Sequence, residues 1–137
     1  MAGVTRFEEL HAWQLCTELE ALVCELADTE WRGRDSALHA QIRKSASSAP
    51  ALIAEGWGRF NPADFANYVR MAKGSLNETK SHLRSARCQG LITEATLLRV
   101  LDMFYRAIGA TSALGRYLRS PQAHRFIETI RARPERS

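Results

Sequence analysis

The stretch NPADFANYVRMAKGSLNETKSHLRSARCQG, residues 61–90, is enough to predict the fold class of this chain. Asn61 is a good N-cap, and Pro62 suits the first helical position because its missing N–H group is not needed there. Asp64 adds a negative charge at the positive end of the helix, and Gly90 is a typical stop signal. The stretch therefore predicts one long helix with a readable beginning and end.

Two stripes run along this predicted helix. The first alternates four- and three-residue steps, as a core seam facing a partner helix does. It consists of Phe65, Val69, Ala72, Leu76, Thr79, Leu83 and Ala86. The second lies one residue on, about 100° round the helix, and carries five cations and no acid. We call this second set the basic stripe: Arg70, Lys73, Asn77, Lys80, Arg84 and Arg87. The basic stripe is the first candidate for a functional surface.

Periodicity and turn residues elsewhere predict three more long helices joined by short connections. We expect the four helices at about 9–30, 36–60, 62–89 and 93–119, with a short helix or tail over 121–137 that carries Phe126 and Ile130. Thr5 and Glu8 fit a capping box, although the first helix could also begin near Leu10. Pro50 should bend the second helix without breaking it, because the apolar pattern continues across it.

Four long helices with short connections predict an all-α protein, and the economical arrangement is a single-domain, up-down-up-down four-helix bundle over 1–137. No segment shows the sustained alternation of a strand. Two of the helices have apolar faces wide enough to contact more than one partner. Self-association is therefore expected.

Composition and charge narrow the class of protein. The N-terminus has no signal region and no apolar run approaches the ~18 residues that span a bilayer, so we expect a soluble, cytoplasmic protein. The net charge of +4 is unevenly distributed. Residues 6–30 hold one base and seven acids, a net charge of −6, whereas the remainder holds 18 bases and 8 acids, a net charge of +10. This asymmetry can serve a nucleic-acid partner, or it can pair unlike faces of two subunits.

Catalytic and metal-binding patterns are weak in this sequence. Glu78 and His82 lie four residues apart on one helical face, but a metal site needs three or four ligands. We therefore expect a solvated pair, and neither a metal nor a cofactor. Glu55 lies near a helix end, where the dipole disfavours a negative charge, and Arg59 is its nearest compensating partner. A structural ion pair is the favoured interpretation, while an enzyme would require Glu55, Arg59 and His82 to meet in one pocket.

Trp57, next to a cluster of aromatic and cationic residues, has two interpretations. It could stack on a base, as aromatic side chains among cations do in single-strand binders. Core or interface packing is the favoured interpretation, because a tryptophan buries a large area.

Several motifs resemble one known family. They are QIRKSASSAP at 41–50, IAEG at 53–56 with Gly58 and Arg59, AKGSL at 72–76 with Glu78, and FEEL at 7–10 followed by Trp13 and Gln14. Together they resemble the four-helix bundle proteins encoded in intervening sequences of bacterial 23S ribosomal RNA genes. The chain departs from the family at Ala49, where isoleucine is usual, and at Leu52, where asparagine is usual.

The resemblance implies a cytosolic, non-enzymatic four-helix bundle that assembles into a homopentameric ring. The family in turn is similar to the accessory proteins of diversity-generating retroelements, which bind nucleic acid and a reverse transcriptase. Within the matched motifs, the resemblance implies a structural role for Glu55, Gly56, Arg59, Gly74 and Ser75.

Two functional hypotheses remain open from the sequence. In the first, the basic stripe binds the backbone of RNA or DNA, with Arg43 and Lys44 contributing from the second helix. In the second, the same cations pair with the acidic first helix, within or between subunits, and the protein is purely an interaction module.

Overall fold

The computed structural model describes residues 3–31 and 33–125, which form an all-α fold with four long helices. A short 3-10 helix, Phe7–Glu9, precedes α1 (His11–Thr29), α2 (Ser36–Gly58), α3 (Pro62–Cys88) and α4 (Glu94–Leu118). None of the described residues is in a strand. The predicted all-α class and the four long helices are thus confirmed.

Side-chain caps begin three of the helices. Asn61 accepts hydrogen bonds from the backbone N–H groups two and three residues on, at 2.9 and 3.1 Å. Asp35 and Thr93 each accept one from the third residue on, at 3.0 and 3.1 Å. These contacts satisfy N–H groups that have no partner within the helix. The cap predicted at Asn61 is confirmed, and Asp35 and Thr93 cap α2 and α4.

The predicted capping box at Thr5 and Glu8 is wrong. The Thr5 hydroxyl instead donates to the Glu9 carboxylate at 2.9 Å, and α1 begins at His11 after Leu10, without a side-chain cap. The alternative start near Leu10 is therefore correct. The short 3-10 helix takes up the residues in between.

α3 ends at Cys88, two residues before the predicted stop signal Gly90, which has a φ of +72°. The Gly90 N–H donates to the Arg87 carbonyl at 3.0 Å, and the Leu91 N–H donates to the Ala86 carbonyl at 2.9 Å. This is a Schellman motif, and the left-handed backbone it needs suits glycine. Pro50 lies within α2, which continues through it as predicted.

The apolar seams predicted from the sequence form the core. All seven seam residues of α3 are buried, as are the six of α2: Leu38, Ile42, Ala46, Ala49, Ile53 and Gly56. Among the described residues, three large hydrophobic side chains remain substantially exposed: Met71 at 52%, Leu98 at 59% and Tyr105 at 53%. The outer faces of α3 and α4 thus keep apolar groups in contact with solvent.

Each long helix contacts two others: α1 and α3 each pack against both α2 and α4. Residues 121–125 are helical, and the predicted C-terminal positions Phe126 and Ile130 lie outside the described residues. Within the described part of the chain, no helix combines the length and the apolar character needed to cross a membrane.

Candidate nucleic-acid interface

The basic stripe lies along the line where α3 meets α4. The Lys80 ammonium donates a hydrogen bond to the Tyr105 hydroxyl at 2.9 Å. One end of the stripe is fixed by Arg87, whose Nε lies 3.1 Å from a carboxylate oxygen of Glu94. These two contacts place Lys80 and Arg87 beside α4, on the outer side of the α3 and α4 pair.

Tyr105 is the side chain that the sequence interpretation missed. Lys80 Nζ lies 4.9 Å from the Tyr105 ring centroid and 5.4 Å from that of Phe104. These distances are typical of cation–π contacts. The hydrogen bond and charge of Lys80, with a smaller contribution from Arg84, lower the pKa of Tyr105 below its ordinary value. An exposed aromatic ring of α4 therefore lies beside two cations of α3.

Most of the basic stripe's charge has no ion-pair partner among the described residues. Of its five cations, only Arg87 forms an ion pair within the described ranges 3–31 and 33–125. Arg70 and Arg84 are exposed, and Lys73 and Lys80 are half-buried.

Arg43 lies on a different seam of the fold. Its Nη1 contacts both carboxylate oxygens of Asp28 in α1, at 2.9 and 3.1 Å, and His39 approaches the same carboxylate at 3.3 Å. Arg43 therefore faces α1, whereas the basic stripe faces α4. Lys44, beside it, is exposed. Among the described residues, no hydrogen bond or ion pair links Arg43 or Lys44 to the basic stripe.

The acidic first helix does not pair with the stripe inside the subunit, as far as the described residues show. Among the described residues, its contacts with basic side chains of another long helix are those from Asp28 to Arg43 and His39 of α2. Glu30 turns instead to the start of α4, where its carboxylate accepts from the Thr96 hydroxyl at 2.7 Å. Pairing between the acidic helix and the stripe of two subunits stays a prediction.

The ion pair predicted between Glu55 and Arg59 is present at 3.2 Å. Tyr68 of α3 completes it, because its hydroxyl accepts from Arg59 at 2.5 Å and donates to Glu55 at 3.2 Å. The network joins the end of α2 to the start of α3. Tyr68 precedes His82 by fourteen residues on the same helix, a separation of ~21 Å. Glu55 and Arg59 therefore do not share a pocket with His82.

His82 lies 3.4 Å from Glu78, as the pair's spacing predicted. No group of three or more potential metal ligands occurs among the described residues. Trp57 is buried, with its ring edge-on to Phe65 at a centroid distance of 6.4 Å. Packing is thus the correct interpretation of Trp57.

The glycines of the motifs differ in their surroundings. A Cβ at Gly56 would lie 2.7 Å from a ring carbon of Phe65, whereas a Cβ at Gly74 would meet nothing within 4 Å. Next to Gly74, the Ser75 hydroxyl donates to the Ser48 hydroxyl at 2.9 Å. Gly56 and Ser75 therefore serve packing between α2 and α3, and nothing within the subunit explains Gly74.

The arrangement defines a class: an all-α protein with a partly exposed line of cations along α3, beside α4. Comparison with protein families gives one match, to the family described as 23S rRNA-intervening sequence protein, over residues 8–109. The match covers well over half of the chain, from the 3-10 helix into α4, and the chain belongs to this family. No curated protein matches it.

Proposed function

We propose that this protein is a non-enzymatic nucleic-acid-binding protein whose basic stripe contacts the phosphate backbone of RNA or DNA. The observation that carries the proposal is the absence, among the described residues, of an ion-pair partner for Arg70, Lys73, Lys80 and Arg84. From Arg70 to Arg87 the stripe rises ~25 Å along α3, enough for several phosphates. Backbone contacts of this kind carry little sequence preference.

The separation of Glu55 and Arg59 from His82 supports a role without catalysis, because the enzyme hypothesis required these three side chains to lie in one pocket. Glu55 is already held by Arg59 and Tyr68. We infer a cytoplasmic scaffold or accessory protein, and a protein partner such as a reverse transcriptase remains part of this proposal.

We also propose that the helices form an up-down-up-down bundle. Between successive helices, the number of the partner residue on the second helix falls as the residue number on the first helix rises. The contacts are Asp28 with Arg43, Trp31 with His39, Ser45 with Thr79, Glu55 with Tyr68, Lys80 with Tyr105, and Arg87 with Glu94. This order supports opposite directions for successive helices.

We propose that the bundle assembles head to tail into a closed ring. The family resemblance implies that this ring is a homopentamer. The exposed Met71 and the open space at Gly74, three residues later on the same face of α3, support a contact surface there. Unlike faces that meet between subunits close into a ring when the rotation permits. Sedimentation equilibrium at micromolar concentration should then give five times the chain mass of 15.4 kDa, and a monomer contradicts assembly.

The stripe is tested by the salt dependence of binding to a short RNA and DNA of unrelated sequence. We expect the affinity to fall steeply as the salt concentration rises. The double variant Arg70→Gln/Arg84→Gln should reduce the slope of log Kd against log salt concentration by about 1 per removed contact. Arg99→Gln with Arg106→Gln removes the same charge from exposed positions of α4 outside the stripe, and should change the slope less.

Two outcomes contradict the proposal. One is that the wild-type protein retains no nucleic acid even at low salt. The other is that charge reversal at Lys80 and Arg84 dissociates the oligomer, which makes the stripe an assembly interface. Sedimentation of each variant therefore accompanies every binding measurement.

A further inference from the structure

Tyr105 and Leu98 form an exposed strip on α4 beside the basic stripe. They lie seven residues apart, two turns on one side of the helix, and more than half of each side chain is exposed. Single exposed apolar residues are common on protein surfaces and need no explanation. Here the aromatic member is also held in place by a cation of the neighbouring helix.

The ring of Tyr105 has a defined position. Lys80 holds the hydroxyl at 2.9 Å, and the Phe104 ring packs edge-on at a centroid distance of 5.2 Å with an interplanar angle of 75°. A ring that its neighbours already hold loses little conformational entropy when a ligand stacks on it. Exposure and restraint together suit a stacking platform.

The charges around Tyr105 select the kind of ligand. Lys80 and Arg84, four residues apart, are close enough to the Tyr105 hydroxyl to lower its pKa. Asp102, an exposed neighbour three residues before Tyr105, is the nearest acid along α4, and the two cations outweigh its single charge. Lysine is depleted in the cores of protein interfaces, whereas aromatic rings flanked by cations are usual in single-strand binders.

We propose that Tyr105 stacks on an unpaired base of single-stranded RNA or DNA, while Lys80 and Arg84 contact the phosphates on either side of that base. The inference rests on the proposed function and adds a preference for single strands over duplex. Bases in a duplex are stacked on each other and offer no face to a side chain at the protein surface. Duplex binding therefore depends on the cations alone.

Fluorescence anisotropy with three labelled probes tests the inference: a single-stranded oligonucleotide, its duplex, and a single strand of the same length with abasic sites. Tyr105→Leu should weaken binding of the single strand by roughly 5- to 100-fold and leave duplex binding unchanged. Tyr105→Phe keeps the ring and should bind within about 2-fold of wild type. Wild type should bind the abasic strand as weakly as the leucine variant binds the normal one. Leu98→Ala, which removes a neighbouring exposed apolar group, is the matched control.

The outcomes separate the two proposals. If Tyr105→Leu binds single strands like wild type while Arg84→Gln weakens them, stacking is wrong and backbone binding stands. An equal loss on duplex and single strand also overturns stacking. If wild type binds none of the probes, both proposals fail. If Tyr105→Leu changes the sedimentation of the protein, the strip contacts a second copy of the chain and the inference is wrong.

Discussion

Gly56 of α2 lies against the ring of Phe65 in α3 so closely that a Cβ would be 2.7 Å from Phe65 Cδ1 and 2.8 Å from Tyr68 Cβ. Phe65 is fully buried and packs against Trp57, so its ring has no room to withdraw. The missing side chain at Gly56 is therefore what lets the two helices approach here.

Gly56→Ala should destabilise the protein, because the new methyl group overlaps a ring that cannot move. We expect the free energy of unfolding to fall by about 1–3 kcal/mol, measured by urea denaturation. Gly109→Ala is the control, since Gly109 is exposed within α4 and a Cβ there would meet nothing within 4 Å. There the better helix propensity of alanine should raise stability by up to about 1 kcal/mol. A Gly56→Ala variant as stable as wild type would show that α2 and α3 can separate at little cost.

The seams and most helix ends could be predicted from the sequence because each depends on residues close in the chain. The period of Phe65, Val69 and Ala72 sets the buried face of α3, and Asn61 and Gly90 set its ends. The capping box at Thr5 failed although its signal is also local. The Thr5 hydroxyl bonds to a side chain, Glu9, instead of a backbone N–H group.

The candidate site was only half predictable for a different reason. The basic stripe is visible in the sequence, but its neighbour Tyr105 is 25 residues from Lys80 and depends on how α4 rotates against α3. Tyr68 joined the Glu55 and Arg59 pair in the same unforeseen way. Arg43 was grouped with the stripe by charge alone, and its contact with Asp28 places it on another seam.

Ser45 and Thr79 form a hydrogen bond of 2.8 Å between α2 and α3, and both are buried. Each hydroxyl also contacts a backbone carbonyl of its own helix, Ser45 with Ile42 and Thr79 with Ser75. We expect Ser45→Ala and Thr79→Val each to cost about 1 kcal/mol of unfolding free energy. Because the two residues share one bond, the double variant should cost less than both single costs added together. Strict additivity in the double-mutant cycle would argue that the two hydroxyls do not interact.

Lys80→Met should raise the pKa of Tyr105. The hydrogen bond and positive charge of Lys80 favour the phenolate, so removing them returns the phenol towards its ordinary pKa. The measurement is a spectrophotometric pH titration of tyrosine ionisation, with Tyr105→Phe identifying the signal of this residue among the three tyrosines. Lys73→Met removes the same charge two turns away and should have a smaller effect. If both variants titrate like wild type, the contact between Lys80 and Tyr105 does not persist in solution.

Stability at alkaline pH should depend on Cys16. Burial raises the pKa of its thiol from 9.0 to about 11, and the hydrogen bond between Cys16 and Thr111 only partly offsets this. Below pH 9 the thiol is protonated in both states and contributes no pH dependence. As the pH rises from about 9 to 11, the unfolded chain releases a proton that the folded protein retains. The unfolded state is thereby favoured, and stability should fall by roughly 2–3 kcal/mol over this range at ~1.4 kcal/mol per pH unit.

Cys16→Ala removes this group and isolates its contribution to the pH dependence. Because Cys16 is 1% exposed, the variant loses some packing and is less stable at every pH. The test is therefore the slope of the unfolding free energy against pH, and not the constant difference between the two proteins. The unfolding free energies of wild type and Cys16→Ala, measured from pH 7 to 11, should converge, because the greater stability of wild type shrinks above pH 9. Cys88→Ala, at an exposed thiol, is the control and should run parallel to wild type. Parallel curves for Cys16→Ala would mean that the buried thiol ionises as readily in the folded protein as in the unfolded chain.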